Sequence, residues 1–428
     1  MSTIVIAFFG LLLLGFPIAF IMLGVCMFAC LAVLNINPTA VIQQAFSGLN
    51  SFTILAVPFF IISGNIAANG GTAGSLINVM RKLFGRLPGG LGICAVAASA
   101  FFAAITGSSM ACIVAVGAMM LPYMAEEKYP EEMAIGIVNS AGSLGILIPP
   151  SIPMVTLSVV MGVSVADTFA AGLMPGLILA LVWCLYITFV CHKKGIPLPE
   201  FRQKSYDYGF RDLLKDLPAL FYPIIILGTI YGGIATPTEA AAISIAYIVI
   251  LELFYYKSLK IKDMPAIFGK GAVDAAAMSV LMGFATPMTW VSSNLGLPAM
   301  VSQFAQAYIP NRFVFVLMMF ALLIVLGCFI QTTPLVIVMA PILLPTLAEL
   351  GIPAIHFGIM TIFCSMIGML TPPFGFNLFT TMRITGKGMG FVSKATIPYL
   401  VILVVVSILI SFFPQITMFL PNLLNSLH

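Results

Sequence analysis

The sequence carries very little charge. Only 7% of its 428 residues are Asp, Glu, Lys or Arg, whereas 61% are hydrophobic, and the mean hydropathy is +1.14. So few polar residues are not enough to cover the surface of a soluble protein of this size. The composition therefore predicts an integral membrane protein. The ten-residue alternating segments of a membrane barrel are absent, so we expect helical spans. The net charge of +4 is modest and lies in loops, which makes nucleic acid an unsuitable partner.

The sequence also lacks the motifs of membrane enzymes and of ATP-driven pumps. It contains no Walker A motif, and its apolar stretches hold no Ser-Lys, Asp-Asp or His-Glu-x-x-His arrangement. The eight cysteines occur singly, without the CxxC spacing of metal sites, and are expected to be packing residues. His192 and His356 are isolated and predicted to be interfacial. We therefore expect no enzymatic activity.

The N-terminal segment is one of the long apolar stretches. Residues 3–34 are too long and too uniformly apolar for a cleaved signal peptide, and they lack a basic flank, so we expect them to be retained. The pattern leaves open whether they form one tilted helix or two short helices broken near Pro17.

Proline pairs mark two positions in related sequence contexts. GILIPP at residues 145–150 and GMLTPP at residues 368–373 are offset by 223 positions, and the Leu-Pro pairs ending at Pro122 and Pro345 share that offset. Each proline pair follows a polar cluster in apolar sequence, TGSS from Thr106 and QTTP from Gln331. Helix-breaking residues at matched positions of two halves indicate the midplane binding site of a secondary transporter.

The basic residues predict the orientation of the halves. They gather in four segments, which the positive-inside rule places in the cytoplasm. The segments are Arg81 to Arg86, residues 193–215, residues 257–270 and Arg383 to Lys394. A re-entrant hairpin over residues 88–126 then enters from the cytoplasm. Its counterpart over residues 313–347 enters from the periplasm.

These assignments predict an all-α integral membrane protein with two inverted-topology repeats. The repeats comprise residues 1–192 and 217–428, joined by a cytoplasmic linker over residues 193–216. Each contains a broken transmembrane helix, over residues 133–161 and 356–382, where Gly lowers helicity and Pro removes backbone donors. The C-terminus is expected in the periplasm.

The polar clusters and the helix breaks together predict ion sites. A broken helix leaves carbonyl oxygens without helical partners, and hydroxyls at a hairpin tip can complete the shell of a dehydrated sodium ion. The alternative is structural, because Ser, Thr and Gly also pack membrane helices and Pro also kinks them. Recurrence of both features in register favours ion sites. We expect Thr106, Ser108 and Ser109 to face residues 145–150, and Thr332 and Thr333 to face residues 368–373, including Pro373.

An anionic substrate is expected between these sites, near helix N-termini that present positive dipole ends. The candidate substrate residues are Ser109, Pro149, Asn377 and Arg383. For Arg383 two interpretations stay open, because it is either a positive-inside anchor or a carboxylate-binding group.

Few acidic residues lie in apolar sequence. Glu239, with Thr236 as N-cap, fits a capping box at an interface, whereas at the bilayer centre it would cost ~2.5–3.5 kcal/mol. Asp167 is expected at a helix start. Asp274 is expected at an interfacial helix start.

The ordered strings TGSS, GILIPPSIP, ATPTEAA, QTTP and GMLTPPFGFN resemble the large membrane (M) subunit of tripartite ATP-independent periplasmic (TRAP) transporters. The resemblance spans essentially the whole chain and places it in the ion-transporter superfamily. It implies an elevator-type, sodium-coupled importer in the bacterial inner membrane. It also implies at least two sodium ions, a small membrane subunit as a separate chain, and a periplasmic substrate-binding protein.

The resemblance also implies particular residues at the two sodium sites. By position, the first site corresponds to Thr106, Ser108, Gly145, Ile148 and Pro150. The second corresponds to Thr332, Thr333, Gly368 and Thr371. The implied substrates are small organic anions, such as C4-dicarboxylates or sialic acid. An anion channel and a sodium/carboxylate symporter that needs no binding protein are the alternatives.

Overall fold

The computed structural model describes residues 2–195, 210–309 and 311–427. Within these ranges the chain consists of helices and short connections, without a strand. Nine helical stretches in the same ranges are long and apolar enough to cross a bilayer. The predicted class, an all-α membrane protein, is confirmed. Of the predicted linker, residues 196–209 lie outside the described residues.

Residues 2–195 form ten α-helices. They are α1 Ser2–Leu13, α2 Ile18–Ala29, α3 Thr39–Leu49, α4 Ala56–Asn69, α5 Thr72–Phe84, α6 Gly90–Thr106, α7 Ser109–Glu126, α8 Glu131–Gly142, α9 Ile152–Met161 and α10 Val165–Lys193. Short 3₁₀ or π turns extend some of them, at Cys30–Leu34, Phe52–Leu55 and Ser143–Ile146.

Residues 210–309 and 311–427 form twelve α-helices. They are α11 Phe210–Asp216, α12 Pro218–Tyr231, α13 Pro237–Ile250, α14 Met264–Gly283, α15 Ala285–Asn294, α16 Leu297–Tyr308, α17 Arg312–Phe329, α18 Thr332–Glu349, α19 Ala354–Met369, α20 Phe376–Thr385, α21 Met389–Phe412 and α22 Pro414–Leu427. A π turn, Leu251–Tyr255, prolongs α13, and a 3₁₀ turn, Ile261–Asp263, precedes α14.

The N-terminal segment is two helices rather than one. Gly15, between α1 and α2, has a φ of 80°, a left-handed conformation that only Gly adopts without strain. Pro17 follows in extended conformation as the N-cap of α2. The break near Pro17, which the sequence left open, is therefore present.

Each half contains a helical hairpin with a sharp tip. In the first hairpin α6 ends at Thr106, Gly107 has a φ of 58°, and Ser108 is the extended N-cap of α7. In the second, Ile330 and Gln331 are extended between α17 and α18. The polar clusters thus form the tips of both hairpins.

Each half also contains an interrupted helix. The 3₁₀ turn after α8 ends at Ile146, and α9 begins at Ile152 after an irregular segment. The second interruption separates α19 from α20. The peptide bonds Pro149-Pro150 and Pro372-Pro373 are both cis. Because Pro has no N–H to donate, both proline pairs lie where the helical hydrogen bonds stop.

The second segment of each interrupted helix packs against the hairpin of the other half. The continuation α20 packs against α7 of the first hairpin, and α9 packs against α18 of the second. Helix α4 packs against both α13 and α14, and α5 follows α4 in the chain and packs along α6. The hairpins and breaks of both halves therefore form one unit beside α4, α13 and α14.

Local expectations for individual side chains had mixed outcomes. Thr236 and Glu239 form the predicted capping box of α13, and Asp167 follows the N-cap Ser164 of α10. The prediction for Asp274 was wrong, because α14 begins earlier, at Met264 with Pro in its first turn, and Asp274 lies in mid-helix. Its carboxylate accepts a 3.3 Å hydrogen bond from the amide of Asn65.

His356 lies inside the protein. The side chain is buried at the start of α19, where Nδ1 lies 2.9 Å from Oγ1 of Thr417 and Nε2 lies 3.1 Å from the carbonyl oxygen of Ser411. The ring joins α19 to the end of α21 and to α22. His192 is exposed in the last turn of α10.

Candidate functional site

The first hairpin tip lies directly against the first interrupted helix. A Cβ atom on Gly145 would come within 2.5 Å of the carbonyl oxygen of Ser108 and 2.7 Å of the amide of Ser109. A Cβ on Gly107 would meet the carbonyl oxygen of Pro150 at 3.1 Å. Two glycines thus allow the two backbones to approach so closely that carbonyl and hydroxyl oxygens of both segments are neighbours.

The second hairpin contacts the second interrupted helix in the same way. A Cβ on Gly368 would overlap the carbonyl carbon of Gly327 and lie 2.6 Å from the amide of Cys328. At the tip, Oγ1 of Thr332 lies 2.6 Å from Oγ of Ser365 on α19. The glycine that begins each GxLxPP string therefore has the same role, because it allows the hairpin and the interrupted helix to approach closely.

Both tips line one cavity of about 60 Å³ between the two halves. Ser108 and Ser109 form one wall, and Thr332 and Thr333 form another. Met278 of α14 also lines the cavity, so the helix group beside the hairpins forms part of its wall. Residues more than 220 positions apart in the chain therefore meet at a single site.

Most hydroxyl groups of the site are buried, whereas those of Ser108 and Thr371 are half-buried, and several of them donate to neighbouring oxygens. Thr106 Oγ1 donates to the carbonyl oxygen of Phe102 at 3.2 Å, and Thr371 Oγ1 donates to that of Ile367 at 2.7 Å. A hydroxyl that donates one hydrogen bond keeps lone pairs that can bind a cation. The described residues contain no cluster of three or more His, Cys, Asp or Glu, and the oxygens at the tips are neutral. Such oxygens, with unwound carbonyls, suit sodium.

Asn377 links the first tip to the second interrupted helix. Ser109 Oγ donates to Asn377 Oδ1 at 3.0 Å, and the asparagine is fully buried. Its Nδ2 atom is buried as well and has no hydrogen-bond partner in the described part of the chain. A buried amide donor without a partner is costly, so it is suited to a ligand oxygen.

A second buried network holds the same helix and was missed by the sequence analysis. Asn139 of α8 accepts a 2.8 Å hydrogen bond from Thr381 of α20 and donates one of 2.8 Å to Thr396 of α21. Thr381 lies one helical turn after Asn377, so both face the first half. The sequence signal for this network was Asn139 itself, a polar residue in an apolar segment, six positions before Gly145.

The two breaks differ in exposure, which the repetition in sequence did not indicate. Ile148, Pro149 and Pro150 are buried, whereas Pro372 and Pro373 are exposed. Thr371 is half-buried and, like Pro373, does not line the 60 Å³ cavity.

Arg383 is exposed in the last turn of α20 and is also outside this cavity. Six residues of helix separate it from Asn377, which corresponds to about 9 Å. Of the four candidate substrate residues, the structure joins Ser109 and Asn377 in a hydrogen bond, and it leaves Arg383 apart from them.

A larger cavity of about 520 Å³ lies beside the second tip and was not expected. The break between α1 and α2 contributes Gly15 and Pro17, and Phe374 lines the opposite side. Gln331 lines both this cavity and the smaller one. Gln331, at the second tip, therefore lies where the two cavities adjoin.

Comparisons with known proteins agree with this architecture. Residues 5–416 match the family described as "Tripartite ATP-independent periplasmic transporter, DctM component". The chain is 34% identical to the C4-dicarboxylate TRAP transporter large permease protein DctM of Rhodobacter capsulatus, over 99% of this chain and 100% of that protein. It is 32% identical to the sialic acid TRAP transporter large permease protein SiaM of Vibrio cholerae, over 97% and 96% of the two chains.

A solved structure extends the comparison to the fold. The Alcanivorax borkumensis YdaH transporter superposes with a TM-score of 0.62 over 87% of each chain, at 14% sequence identity. At this identity the likeness concerns the fold alone. It supports the arrangement of hairpins and interrupted helices described above.

Proposed function

Because the chain belongs to the DctM family of tripartite ATP-independent periplasmic transporters, we propose that it imports a small organic anion by sodium-coupled secondary transport. It would act as the large subunit in the bacterial inner membrane. A separate small membrane subunit and a periplasmic binding protein that delivers the substrate would complete the system.

The meeting of the two hairpin tips is the observation that carries this proposal. Ser108 and Ser109 on one side, and Thr332 and Thr333 on the other, share a cavity next to two glycine-mediated contacts with interrupted helices. Hydroxyl oxygens beside unwound carbonyls are the sodium ligands that transporter midplanes offer. We assign one ion to each tip. The breaks would add carbonyl oxygens at Gly145, Ile148 and Pro150, and at Gly368, Thr371 and Pro373.

The substrate is proposed to be a carboxylate, between the two ions. The helices α7 and α18 begin at the two tips, so their positive dipole ends point toward the shared cavity. The unpaired Nδ2 of Asn377 adds a buried donor beside Ser109. Relatives named for C4-dicarboxylate and for sialic acid fit a carboxylate as the common chemical group. Arg383 would join the site in another conformation.

We further propose that the two halves are inverted repeats and that the hairpin unit moves as an elevator. The first hairpin would open to the cytoplasm and the second to the periplasm, which also puts the C-terminus in the periplasm. Met278 places α14 against the site, so the group of α4, α13 and α14 would form the static wall. The large cavity beside Gln331 would be the substrate's route to the tips.

The sodium gradient and the membrane potential would supply the energy for uphill import. Each net positive charge moved inward contributes about 2.3 kcal/mol per 100 mV. If more sodium charge than substrate charge enters per cycle, transport is electrogenic. Uptake should therefore rise when the interior of the vesicle is made negative.

Uptake into proteoliposomes tests the proposal. The chain, reconstituted with its membrane and periplasmic partners, should accumulate labelled organic anion only under an inward sodium gradient. Equal accumulation with potassium alone would contradict sodium coupling. Non-saturating flux that needs neither sodium nor a binding protein would identify an anion channel. Sodium-driven uptake without the binding protein would identify a simple symporter.

A further inference from the structure

Glu252 is a fully buried carboxylate near the end of α13, in its π turn, and the mechanism proposed above does not use it. It is the one buried acidic side chain among the described residues. Oε2 accepts a 2.8 Å hydrogen bond from the backbone N–H of Gly71, and Oε1 accepts one of 2.9 Å from that of Thr72. The hydroxyl of Thr72 donates to Oε1 at 2.5 Å, and that of Ser258 donates to Oε2.

These hydrogen bonds cap the N-terminus of α5 from 180 residues away in the chain. Gly71 is the N-cap position of α5, but it has no side chain to accept from the first turn. The Glu252 carboxylate accepts hydrogen bonds there instead of an N-cap side chain, at a helix end where the dipole favours a negative charge. A Cβ on Gly70 would overlap the carboxylate, so glycine is required there for the contact to form.

The contact lies at the junction of two structural groups. Helix α4 packs mainly with α13 and α14 and makes a smaller contact with α6, whereas α5 packs along α6 of the first hairpin. Near the other end of α5, the guanidinium of Arg81 stacks 3.9 Å above the ring of Tyr123 on α7. Helix α5 therefore connects the two groups. Its first turn is held by the π turn that follows α13, and its last turns contact the hairpin. Between them it also packs against α11 and α12, where Asn78 donates to Asp216 at 3.2 Å.

We propose that Glu252 is a positioning residue that fixes the N-terminus of α5 to α13, so that the first hairpin moves by rotation of α5 about this point. The inference rests on the proposed movement of the hairpin unit, but it concerns the attachment of α5 and not the ion site.

The corresponding contact in the second half is different. The acidic residue there is Glu349, at the end of α18. It accepts a 2.9 Å hydrogen bond from Gln306 of α16, and both residues are exposed.

The first test is transport by Glu252→Gln. The amide keeps the size of the side chain but turns an NH₂ group toward one backbone N–H and one hydroxyl. At least the hydrogen bond from that backbone N–H is lost, and the charge disappears. We expect the maximal uptake rate to fall roughly tenfold, while the half-saturating concentrations of sodium and of substrate stay within about twofold. Glu239→Gln removes a carboxylate from the other end of α13 without touching α5 and serves as the matched control.

Thr72 provides a second pair of variants. Thr72→Val removes the hydroxyl that binds Glu252 at nearly unchanged volume and should also lower the maximal rate, whereas Thr72→Ser should restore it. A purely structural role would instead lower the yield of folded protein for Glu252→Gln without changing the rate per folded molecule. Size-exclusion profiles and uptake per reconstituted molecule separate the two effects.

Hydrogen exchange tests the fixed point itself. In the wild type, the amides of Gly71 and Thr72 should be protected to the same extent in sodium with substrate and in sodium-free choline buffer. In Glu252→Gln they should exchange faster in both buffers. A wild-type protection that differs between the buffers, or an unchanged maximal rate in Glu252→Gln, would overturn the inference. If the wild type itself shows no sodium-driven uptake, the proposed function fails instead.

Discussion

Ser109 at the first hairpin tip donates a hydrogen bond of 3.0 Å to Asn377, which lies 268 positions further along the chain in the second interrupted helix. The bond makes the first tip and α20 neighbours inside the protein. It also orients the asparagine amide, because the carbonyl side is occupied by the serine and the Nδ2 side is left without a partner. The two halves therefore build the candidate substrate position jointly.

Asn377→Asp tests whether the free Nδ2 binds the substrate. Aspartate keeps an acceptor for Ser109 but replaces the donor with a carboxylate oxygen, which repels an anion. The half-saturating substrate concentration for uptake should rise by roughly tenfold or more, the cost of losing a hydrogen bond to a charged ligand. Thr380→Val, which removes a hydroxyl that bonds only within α20, is the control and should change this concentration less than about twofold. An Asn377→Asp variant with wild-type affinity would remove Asn377 from the site.

Asn139→Ala tests the buried network that fastens α20 to α8 and α21. The substitution leaves the hydroxyl of Thr381 without its acceptor and Thr396 without its donor. We expect the free energy of unfolding to fall by about 1–3 kcal/mol, measured by SDS titration of the purified protein. Asn69→Ala, whose side chain bonds an exposed carbonyl of its own helix, should change it by less than about 0.5 kcal/mol. Equal effects of the two substitutions would contradict the network.

Gly145→Ala tests the close approach of the first tip and the first break. The new Cβ would meet the Ser108 carbonyl oxygen at 2.5 Å, and this oxygen belongs to backbone and does not move aside easily. Overpacking of this kind costs about 1–3 kcal/mol, so we expect a lower thermal midpoint and loss of sodium-driven uptake. Gly24→Ala, in α2 with no atom within 4 Å of the new Cβ, should keep uptake and slightly raise the midpoint. Wild-type uptake by Gly145→Ala would mean that the tip and the break do not form a joint site.

Local sequence signals predicted local structure well. The proline pairs and polar clusters marked the breaks and the tips because Pro and Gly act within a few residues. The capping box of Thr236 and Glu239 is likewise a local pattern, of four residues, and it is present. Asp274 was misplaced because proximity to a lysine is a weaker signal of a helix start than the proline that follows Met264.

The remaining contacts depend on partners far away in the chain. The bonds of Asn139 and Asn377 join residues from opposite halves, and no periodicity indicates which asparagine meets which hydroxyl. Glu252 ends an apolar helix near a lysine, so it resembles an interfacial acid. Its burial is decided by the turn before α5, which packs over it 180 positions earlier in the sequence.

The half-saturating sodium concentration for uptake tests the central claim, that both hairpin tips bind sodium. We expect it to rise roughly fivefold or more in Ser108→Ala and in Thr333→Val, because each substitution removes one oxygen from an ion site. Ser108 also caps α7, so the matched control is Ser164→Ala, which removes the corresponding cap from α10 and should leave sodium dependence unchanged. An unchanged sodium dependence in both tip variants would contradict the account.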